Sequence, residues 1–208
     1  MTGPHAGRVA GIGLLAMSVL AGFANFGVVE QVVTPADAAT PLFRAGVLAL
    51  VLVVALDTLV ALALREFFSP VDHALSTLTA WFRLVYAAVF LVAIAQLSAA
   101  VGEPDALARI EDFRGLWDLG LILFGGHLLL LGLLAYRSAN VPTALAVLLA
   151  AAGLGYAVDG AGSVAGFSTG LATFTFVGEV LFMCWLLVKG GTAAARDDRR
   201  SLAGADRP

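Results

Sequence analysis

The chain has 208 residues, of which 60% are hydrophobic and 13% are charged, and its mean hydropathy is +0.94. Because soluble domains carry about 25% charged residues, this composition excludes a soluble globular protein, and the apolar segments leave no room for a separate soluble catalytic domain. The formal net charge of −3 is spread over loops and the C-terminal tail, which excludes a basic, nucleic-acid-binding face.

Six apolar segments follow one another along the chain. They cover residues 9–29, 43–64, 77–99, 116–136, 142–163 and 170–188. A helix of about 20 residues crosses about 30 Å of hydrocarbon. The first segment has an alternative interpretation as a signal peptide cleaved near residues 21–24, but with one firm positive charge before it we expect a retained span. We therefore predict an all-α, six-helix transmembrane bundle, a single domain over residues 1–189.

Proline beside an N-cap residue marks three of the predicted helix starts. The pairs and triplet are Thr40-Pro41, Ser69-Pro70 and Asn140-Val141-Pro142. With Asp72 as an acid in its first turn, the third helix is predicted to begin near Ser69, at the membrane surface.

The connection at residues 102–118 is acidic and patterned. Apolar residues recur at helical spacing after Pro104, at Leu107, Ile110, Phe113 and Trp117. Two interpretations stay open, a short helix lying on the membrane surface and an ordinary polar loop.

The distribution of basic residues predicts the orientation, because lysine and arginine near span ends are retained in the cytoplasm. A cytoplasmic N-terminus places inside Arg8, Arg65, Arg137, Lys189, Arg196, Arg199, Arg200 and Arg207. It leaves outside only Arg44, Arg109 and Arg114. We therefore predict that both termini are cytoplasmic and that residues 190–208, which are small, polar and of mixed charge, form a disordered tail.

Five ionisable side chains lie within the predicted spans: Asp57, Arg83, His127, Asp159 and Glu179. Each costs about 2.5 to 3.5 kcal/mol at the centre of a membrane, so such groups turn inward and find partners. At a rise of 1.5 Å per residue, all but Asp159 share one layer about 9 to 15 Å from the cytoplasmic ends. Because Asp57 and Arg83 are on consecutive antiparallel spans, we expect them to pair, either as a structural lock or as part of a site. Snorkelling of Arg83 to the inner interface is the alternative.

His127 lies in the segment FGGHLLLLG at 124–132, whose glycines allow close approach of a neighbouring helix. It can relay protons, hold a ligand or donate an interhelical hydrogen bond. As the only histidine at depth it does not support a zinc site or haem with two histidine ligands, and the lone Cys184 excludes multi-cysteine clusters. We expect no metal and no cofactor.

The two remaining acids differ in depth. Glu179 has no basic neighbour within a turn, so desolvation favours its neutral form unless Arg83 or His127 reaches it, and it is the main candidate for proton or ligand coupling. Asp159, one turn after Tyr156 and near the outer end of its span, either caps a cavity or faces the headgroups. The P-loop, His-Glu-x-x-His and Gly-x-Ser-x-Gly signatures are missing, which argues against an enzyme without excluding acid–base chemistry.

Several short motifs resemble, in their order and spacing, the prokaryotic membrane family called domain of unknown function 4386. They are Arg8-Val9-Ala10-Gly11, Phe43-Arg44 with Asp57, Phe82-Arg83-Leu84-Val85, the His127 segment, Gly155-Tyr156 with Asp159, Gly178-Glu179, and Trp185-Leu186-Leu187-Val188-Lys189-Gly190. The resemblance implies a small multi-span protein of the bacterial or archaeal cell membrane and implies no particular activity.

Three hypotheses for the function follow. The leading one is a non-enzymatic protein in the lipid bilayer that binds, and in a proton-coupled form transports, a small or amphipathic ligand through Asp57, Arg83, His127 and Glu179. The second is a structural or accessory subunit whose small-residue faces, at residues 166–170 and around Gly153, pack against a second copy or a membrane partner. The third is an intramembrane enzyme that acts on a lipid-like substrate beside His127.

Overall fold

The computed structural model describes the backbone of residues 3–167 and 169–205, and the side chains of residues 5–167, 169–171 and 173–191. Within these residues the chain forms two short 3-10 helices, Val29–Gln31 and Pro35–Ala39, seven α-helices and no strand. The α-helices are α1 (Gly3–Phe26), α2 (Pro41–Phe68), α3 (His73–Ala99), α4 (Ala106–Arg137), α5 (Thr143–Ala165), the single turn α6 (Ala172–Thr175) and α7 (Val177–Ala205).

Six segments of the described chain are long and apolar enough to cross a membrane. They are His5–Gln31, Pro41–Phe68, His73–Ala99, Ala106–Arg137, Thr143–Ala165 and Thr173–Gly191. Each overlaps one predicted span, so the prediction of an all-α bundle with six candidate spans is confirmed, and the composition of these helices indicates a multi-pass membrane protein. The orientation of the termini stays a prediction. The predicted disordered tail falls mainly on residues 192–208, whose side chains lie outside the described part of the chain.

The six long helices form a closed ring in chain order. Each of α1 to α4 packs against the next helix, and α7 lies between α5 and α1 and closes the ring. Short connections between antiparallel helices produce this order, because they allow each helix to pack only beside its predecessor. The ring is loosest between α5 and α7. Its interior is where side chains turned away from lipid must lie.

Glycine allows the closest helix contacts of the ring. A Cβ atom added at Gly125 of α4 would lie 2.5 Å from the carbonyl oxygen of Gly153 on α5, and one added at Gly7 of α1 would lie 2.8 Å from the Cα atom of Gly190 on α7. Backbones that approach this closely gain dispersion contacts. In a membrane these contacts drive helix association, because lipid tails are as apolar as the side chains and no hydrophobic effect acts between helices. Gly153 is therefore used inside the chain, so this part of the small-residue surface is not free for a partner.

Two of the three predicted helix starts are corrected by the structure. Thr40 caps α2 as predicted, because its hydroxyl accepts a hydrogen bond from the backbone N–H of Phe43 at 3.2 Å. The third helix does not begin near Ser69; α3 begins at His73, where the Asp72 carboxylate accepts from the Leu75 N–H at 2.9 Å. α5 begins at Thr143 and has no side-chain cap, so Asn140 is not its N-cap.

The segment at 102–118 is neither a separate surface helix nor a loop. From Ala106 onward it is the first part of α4, which continues without a break to Arg137. At 1.5 Å per residue this helix is about 48 Å long, so it extends beyond the hydrocarbon layer. Its recurring apolar residues pack into the bundle through Ile110 and Phe113, which are buried, while Arg114 and Glu111 pair on the exposed face at 3.2 Å.

Aromatic residues pack on both sides of the layer that holds the buried charges. On one side the rings of Phe68 and Trp185 each lie within 6.4 Å of the Phe182 ring, which joins α2 to α7. On the other side Trp117 of α4 lies 5.4 Å from Phe90 of α3. Apolar rings thus flank the buried charges on both sides, and polar contacts in such surroundings are stronger than in water.

Candidate functional site

Asp57 and Arg83 form the buried ion pair that their positions predict. Arg83 Nη2 lies 2.7 Å from Asp57 Oδ1, and the side chains of Arg83 and Asp57 are only 3% and 1% exposed, respectively. Arg83 therefore does not snorkel to the interface. Its Nη2 also lies 3.8 Å from the Sδ atom of Met17 on α1. With His127 on α4, the guanidinium group thus contacts side chains of three helices, α1, α2 and α4.

His127 contacts the same guanidinium group and is fully buried. Its Nδ1 lies 2.9 Å from the Thr79 carbonyl oxygen, which can only accept, so Nδ1 carries the ring hydrogen and donates. Nε2 lies 3.2 Å from Arg83 Nη1, which can only donate, so Nε2 accepts. The imidazole is therefore neutral and uses both nitrogens. It orients Arg83 and has no free nitrogen for a metal or a substrate.

The glycines around His127 have separate contacts. Gly125 faces α5, and a Cβ atom on Gly126 would lie 2.8 Å from the Phe82 ring on α3. These contacts let α4 approach both neighbours at once. The close approach to α3 allows the imidazole to reach the Thr79 carbonyl oxygen of that helix.

A cavity of about 160 Å³ lies in the middle of the ring beside the ion pair, and we call it the central cavity. Five helices line it, through Leu14, Met17, Ser18, Ala21, Val53, Asp57, Arg83, Tyr86, Phe90, Trp117, Phe124 and Glu179. A second space of about 180 Å³, the side cavity, is lined by Leu14, Ser18, Tyr156, Phe176, Glu179, Val180 and Met183. The two cavities share Leu14, Ser18 and Glu179, so Glu179 stands between them.

Glu179 is the acid of the central cavity that lacks an ion pair within the described residues. The Tyr156 hydroxyl on α5 is directed toward its carboxyl group. The Oε1 atom of Glu179 is buried and makes no hydrogen bond. Glu179 thus lines the same cavity as Asp57 and Arg83, but neither Arg83 nor His127 binds it directly.

Arg83 also has an unused donor. Its Nε atom is buried without a hydrogen-bond partner, although Nη1 and Nη2 are both engaged. An unpaired buried polar group costs about 1 to 3 kcal/mol, so native proteins satisfy nearly all of them. Arg83 Nε and Glu179 Oε1 offer one donor and one acceptor on residues that line the same cavity.

Four aromatic rings complete the central cavity, and the sequence did not identify them as site residues. The Trp117 Nε1–H donates to the Tyr86 hydroxyl oxygen at 3.1 Å, and the Arg83 guanidinium carbon lies 5.5 Å from the centre of the Phe124 ring. Phe90 lies beside Tyr86, with ring centres 5.8 Å apart. Helical spacing was the available signal, because Tyr86 follows Arg83 by three residues and therefore shares its face.

Asp159 is not part of this arrangement. Its carboxylate accepts a hydrogen bond from the Thr169 hydroxyl, in the connection after α5, and Asp159 does not line either cavity. Of the five ionisable residues singled out in the sequence, the structure thus brings three into direct contact, places Glu179 on the same cavity and places Asp159 elsewhere. Among the described residues no group of three or more His, Cys, Asp or Glu side chains is arranged to hold a metal ion.

The fold and the site together define a six-span helical bundle with a buried Asp–Arg–His cluster beside a central cavity. The chain belongs to the family described as domain of unknown function (DUF4386), which it matches over residues 9–190. It is 39% identical to an uncharacterized protein of Archaeoglobus fulgidus over 142 residues, which cover 67% of this chain and 80% of that protein. No solved structure matches the chain.

Proposed function

We propose that this protein binds a small ligand in the central cavity and that Glu179 couples the binding to a proton. The observation that carries the proposal is the pair of unused buried polar atoms, Arg83 Nε and Glu179 Oε1, on the lining of one cavity. Ligand pockets characteristically combine an apolar lining with a few such polar groups, which fix the orientation of the ligand.

The Asp57–Arg83–His127 cluster supplies a rigid side of the proposed site. The guanidinium group is held by Asp57 through Nη2 and by His127 through Nη1, so its Nε–H is fixed in direction before any ligand arrives. A preorganised donor loses little conformational entropy on binding. The cluster therefore acts as a positioning element in this proposal, and a ligand acceptor would take the remaining N–H.

Glu179 supplies the part of the site that can change charge. Asp57 is paired directly with Arg83, whereas the side chain directed at the Glu179 carboxyl group is the neutral Tyr156 hydroxyl. Desolvation in the bundle favours a neutral carboxyl group, so an ionised Glu179 requires a ligand that compensates its charge. Binding and proton loss are then linked, which is the basis for proton-coupled transport in such a bundle.

The setting that we propose is the cell membrane of a prokaryote. The candidate spans indicate a multi-pass membrane protein, and the Archaeoglobus relative is consistent with a prokaryotic family. The basic residues favour a cytoplasmic location of both termini.

Cysteine labelling tests whether the central cavity is reachable from water. Ser18 is exposed and lines both cavities, whereas the neighbouring Val19 is 65% exposed and lines neither. With Cys184 replaced by serine, we expect Ser18→Cys to react with a small water-soluble thiosulfonate and Val19→Cys, which faces lipid, to stay unreactive. Glu103→Cys, in an exposed connection, is the positive control. An unreactive Ser18→Cys variant, measured beside a reactive Glu103→Cys variant, would refute the proposal.

A further inference from the structure

We infer that the ligand of the central cavity is a small organic cation, which exchanges with the proton of Glu179. This inference rests on the proposed function and adds the class of ligand. It depends on the net charge of the cavity, on the nature of its walls and on the position of Glu179 between the two cavities.

The charges that line the central cavity sum to −1 when Glu179 is ionised. Arg83 compensates Asp57 at 2.7 Å, and His127 is neutral because Nδ1 donates to Thr79 and Nε2 accepts from Arg83. Glu179 then leaves one uncompensated negative charge. In a low-dielectric interior such a charge is neutralised either by a proton or by a cation. An anionic ligand would add a second negative charge to the cavity.

The walls favour an organic cation over a metal ion. Tyr86, Phe90, Trp117 and Phe124 line the central cavity, and the faces of aromatic rings attract ammonium groups. Hard metal ions instead require about six to eight oxygen ligands for Ca²⁺ and six for Mg²⁺. The side-chain oxygens on this lining come from Ser18, Asp57, Tyr86 and Glu179. Asp57 is already paired with Arg83.

The remaining polar and apolar groups suggest the form of the cation. Arg83 Nε and the Tyr86 hydroxyl are donors on α3, and the Tyr86 oxygen already accepts from Trp117. A cation that also carries a hydroxyl or ether oxygen would satisfy them. The side cavity, with Leu14, Phe176, Val180 and Met183, offers space for an apolar substituent.

Several groups face Glu179 and determine how its charge responds to pH. They are Tyr156 from α5, Arg83 and Tyr86 from α3 and Asp57 from α2. From α1 the nearest lining residues, Leu14 and Ser18, are not titratable. Since Asp57 and Arg83 are paired, Glu179 is the group whose proton a bound cation would displace.

Choline and its neutral isostere 3,3-dimethyl-1-butanol test the inference, because they share shape and hydroxyl group and differ in charge. We expect calorimetric titration of the full chain in detergent to show choline binding at least about tenfold tighter than the alcohol, since the difference is one buried charge pair. Binding should release about one proton per choline, measured in weakly buffered solution. Sodium or potassium chloride at equal ionic strength should not displace choline.

Glu179→Gln separates the charge from the shape of the site. The variant should bind choline at least about tenfold more weakly, release no proton and bind the alcohol as the wild type does. Glu103→Gln, an exposed acid in a connection that does not line the cavity, should behave as the wild type does.

Three results would each overturn the inference: equal binding of choline and the alcohol, choline binding without proton release, or displacement of choline by sodium. The labelling experiment separates this failure from failure of the proposed function. If the Ser18→Cys variant is labelled but choline does not bind, the cation inference fails while the cavity proposal stands. If the Ser18→Cys variant is not labelled, the proposed function itself fails.

Discussion

The buried arginine is the residue on which the site depends. Arg83 is 3% exposed and is held by Asp57, by His127 and by the face of Phe124. Removing one member of a buried ion pair leaves an uncompensated charge, whereas replacing both members by apolar residues of similar size is often neutral. Comparing single with double substitutions therefore shows whether the ion pair is needed for stability or serves the candidate site.

We predict that Asp57→Ala lowers the free energy of unfolding by about 3 to 5 kcal/mol, because it leaves the Arg83 charge unpaired. The double variant Asp57→Leu, Arg83→Met should recover most of that loss and should no longer bind the ligand. Unfolding in detergent, followed by circular dichroism, measures the first effect. A double variant as unstable as Asp57→Ala alone would show that the pair is required for folding.

Asp37 is a second residue whose environment favours one charge state, and it lies outside the candidate spans, between α1 and α2. Its Oδ2 atom accepts three hydrogen bonds, from the Thr34 hydroxyl at 2.8 Å, the Thr34 N–H at 2.8 Å and the Val33 N–H at 3.2 Å. The hydroxyl contributes most, and together these donors hold the pKa of Asp37 below its usual value. Its contribution to stability is therefore present above about pH 3.9, the usual value, and is lost as the pH falls through the lower pKa of the folded state.

We predict that Asp37→Asn lowers the thermal midpoint at neutral pH and that the difference from the wild type shrinks toward zero as the pH falls through the lowered pKa of Asp37. Thr34→Val removes one of the three donors and should give a smaller effect of the same sign. Thermal unfolding across this pH range measures both. A difference that stays constant with pH would contradict the assignment.

Among single residues, the sequence predicted part of the site. The Asp57–Arg83 pair was predictable because two opposite charges on consecutive antiparallel spans meet at the same depth. The contact between His127 and Arg83 was not, because it depends on the rotation of α4 about its axis, which Gly125 and Gly126 allow but which no local pattern specifies. The aromatic lining of the central cavity was not predictable for a related reason. Apolar residues in a span occur on both the lipid face and the interior face, so their presence alone does not indicate a cavity.

Among the elements, α4 shows most clearly how small residues position the site. A Cβ atom on Gly125 would lie 2.5 Å from the Gly153 carbonyl oxygen and 2.8 Å from the Ala157 backbone nitrogen. Since both are backbone atoms, a methyl group there must push α5 away from α4. The displacement would also move His127, two residues later.

We predict that Gly125→Ala destabilises the protein by about 1 to 3 kcal/mol, as overpacking of a close contact does. Gly115→Ala on the same helix is the matched control, because a Cβ atom there has no heavy atom within 4 Å. The control should leave stability unchanged or raise it by about 0.5 to 1 kcal/mol through helix propensity. Equal effects of the two substitutions on the unfolding midpoint would show that the α4–α5 contact is not tight.

The ends of the elements were harder to predict than their existence. Six apolar segments suffice to locate six helices, because a membrane requires a minimum apolar length. The sequence predicts a start of α3 near Ser69 because Ser69 precedes Pro70 and Asp72 suits a first turn, whereas in the structure Asp72 is itself the N-cap and accepts the Leu75 N–H. The start of α4 was missed because its first turns carry charged residues, while Ile110 and Phe113 bury one face of it.

For the whole molecule, the closed ring explains why one cavity receives side chains from five helices. Chain order brings α7 back to α1, so Glu179 faces Asp57 and Arg83 across the interior. The loosest part of the ring, between α5 and α7, adjoins the side cavity through Tyr156 and Val180.

The ring also predicts which residues share a side of the membrane. Arg137, at the end of α4, pairs at 2.9 Å with Asp72, which precedes α3, so these connections lie at one end of the bundle. Arg65 of α2 lies at the same end, because its Nε–H donates to Thr77 of α3 at 3.1 Å. By the retention of basic residues, we predict that this end is cytoplasmic.

Labelling in intact cells tests this orientation in the Cys184→Ser chain. We predict that Glu103→Cys reacts with a membrane-impermeant thiol reagent and that Ala139→Cys, in the exposed connection after α4, reacts only after lysis. The two positions lie at opposite ends of α4, so each serves as the control for the other. The opposite labelling pattern would reverse the orientation and place the Arg65 and Arg137 end outside, against the usual distribution of charge.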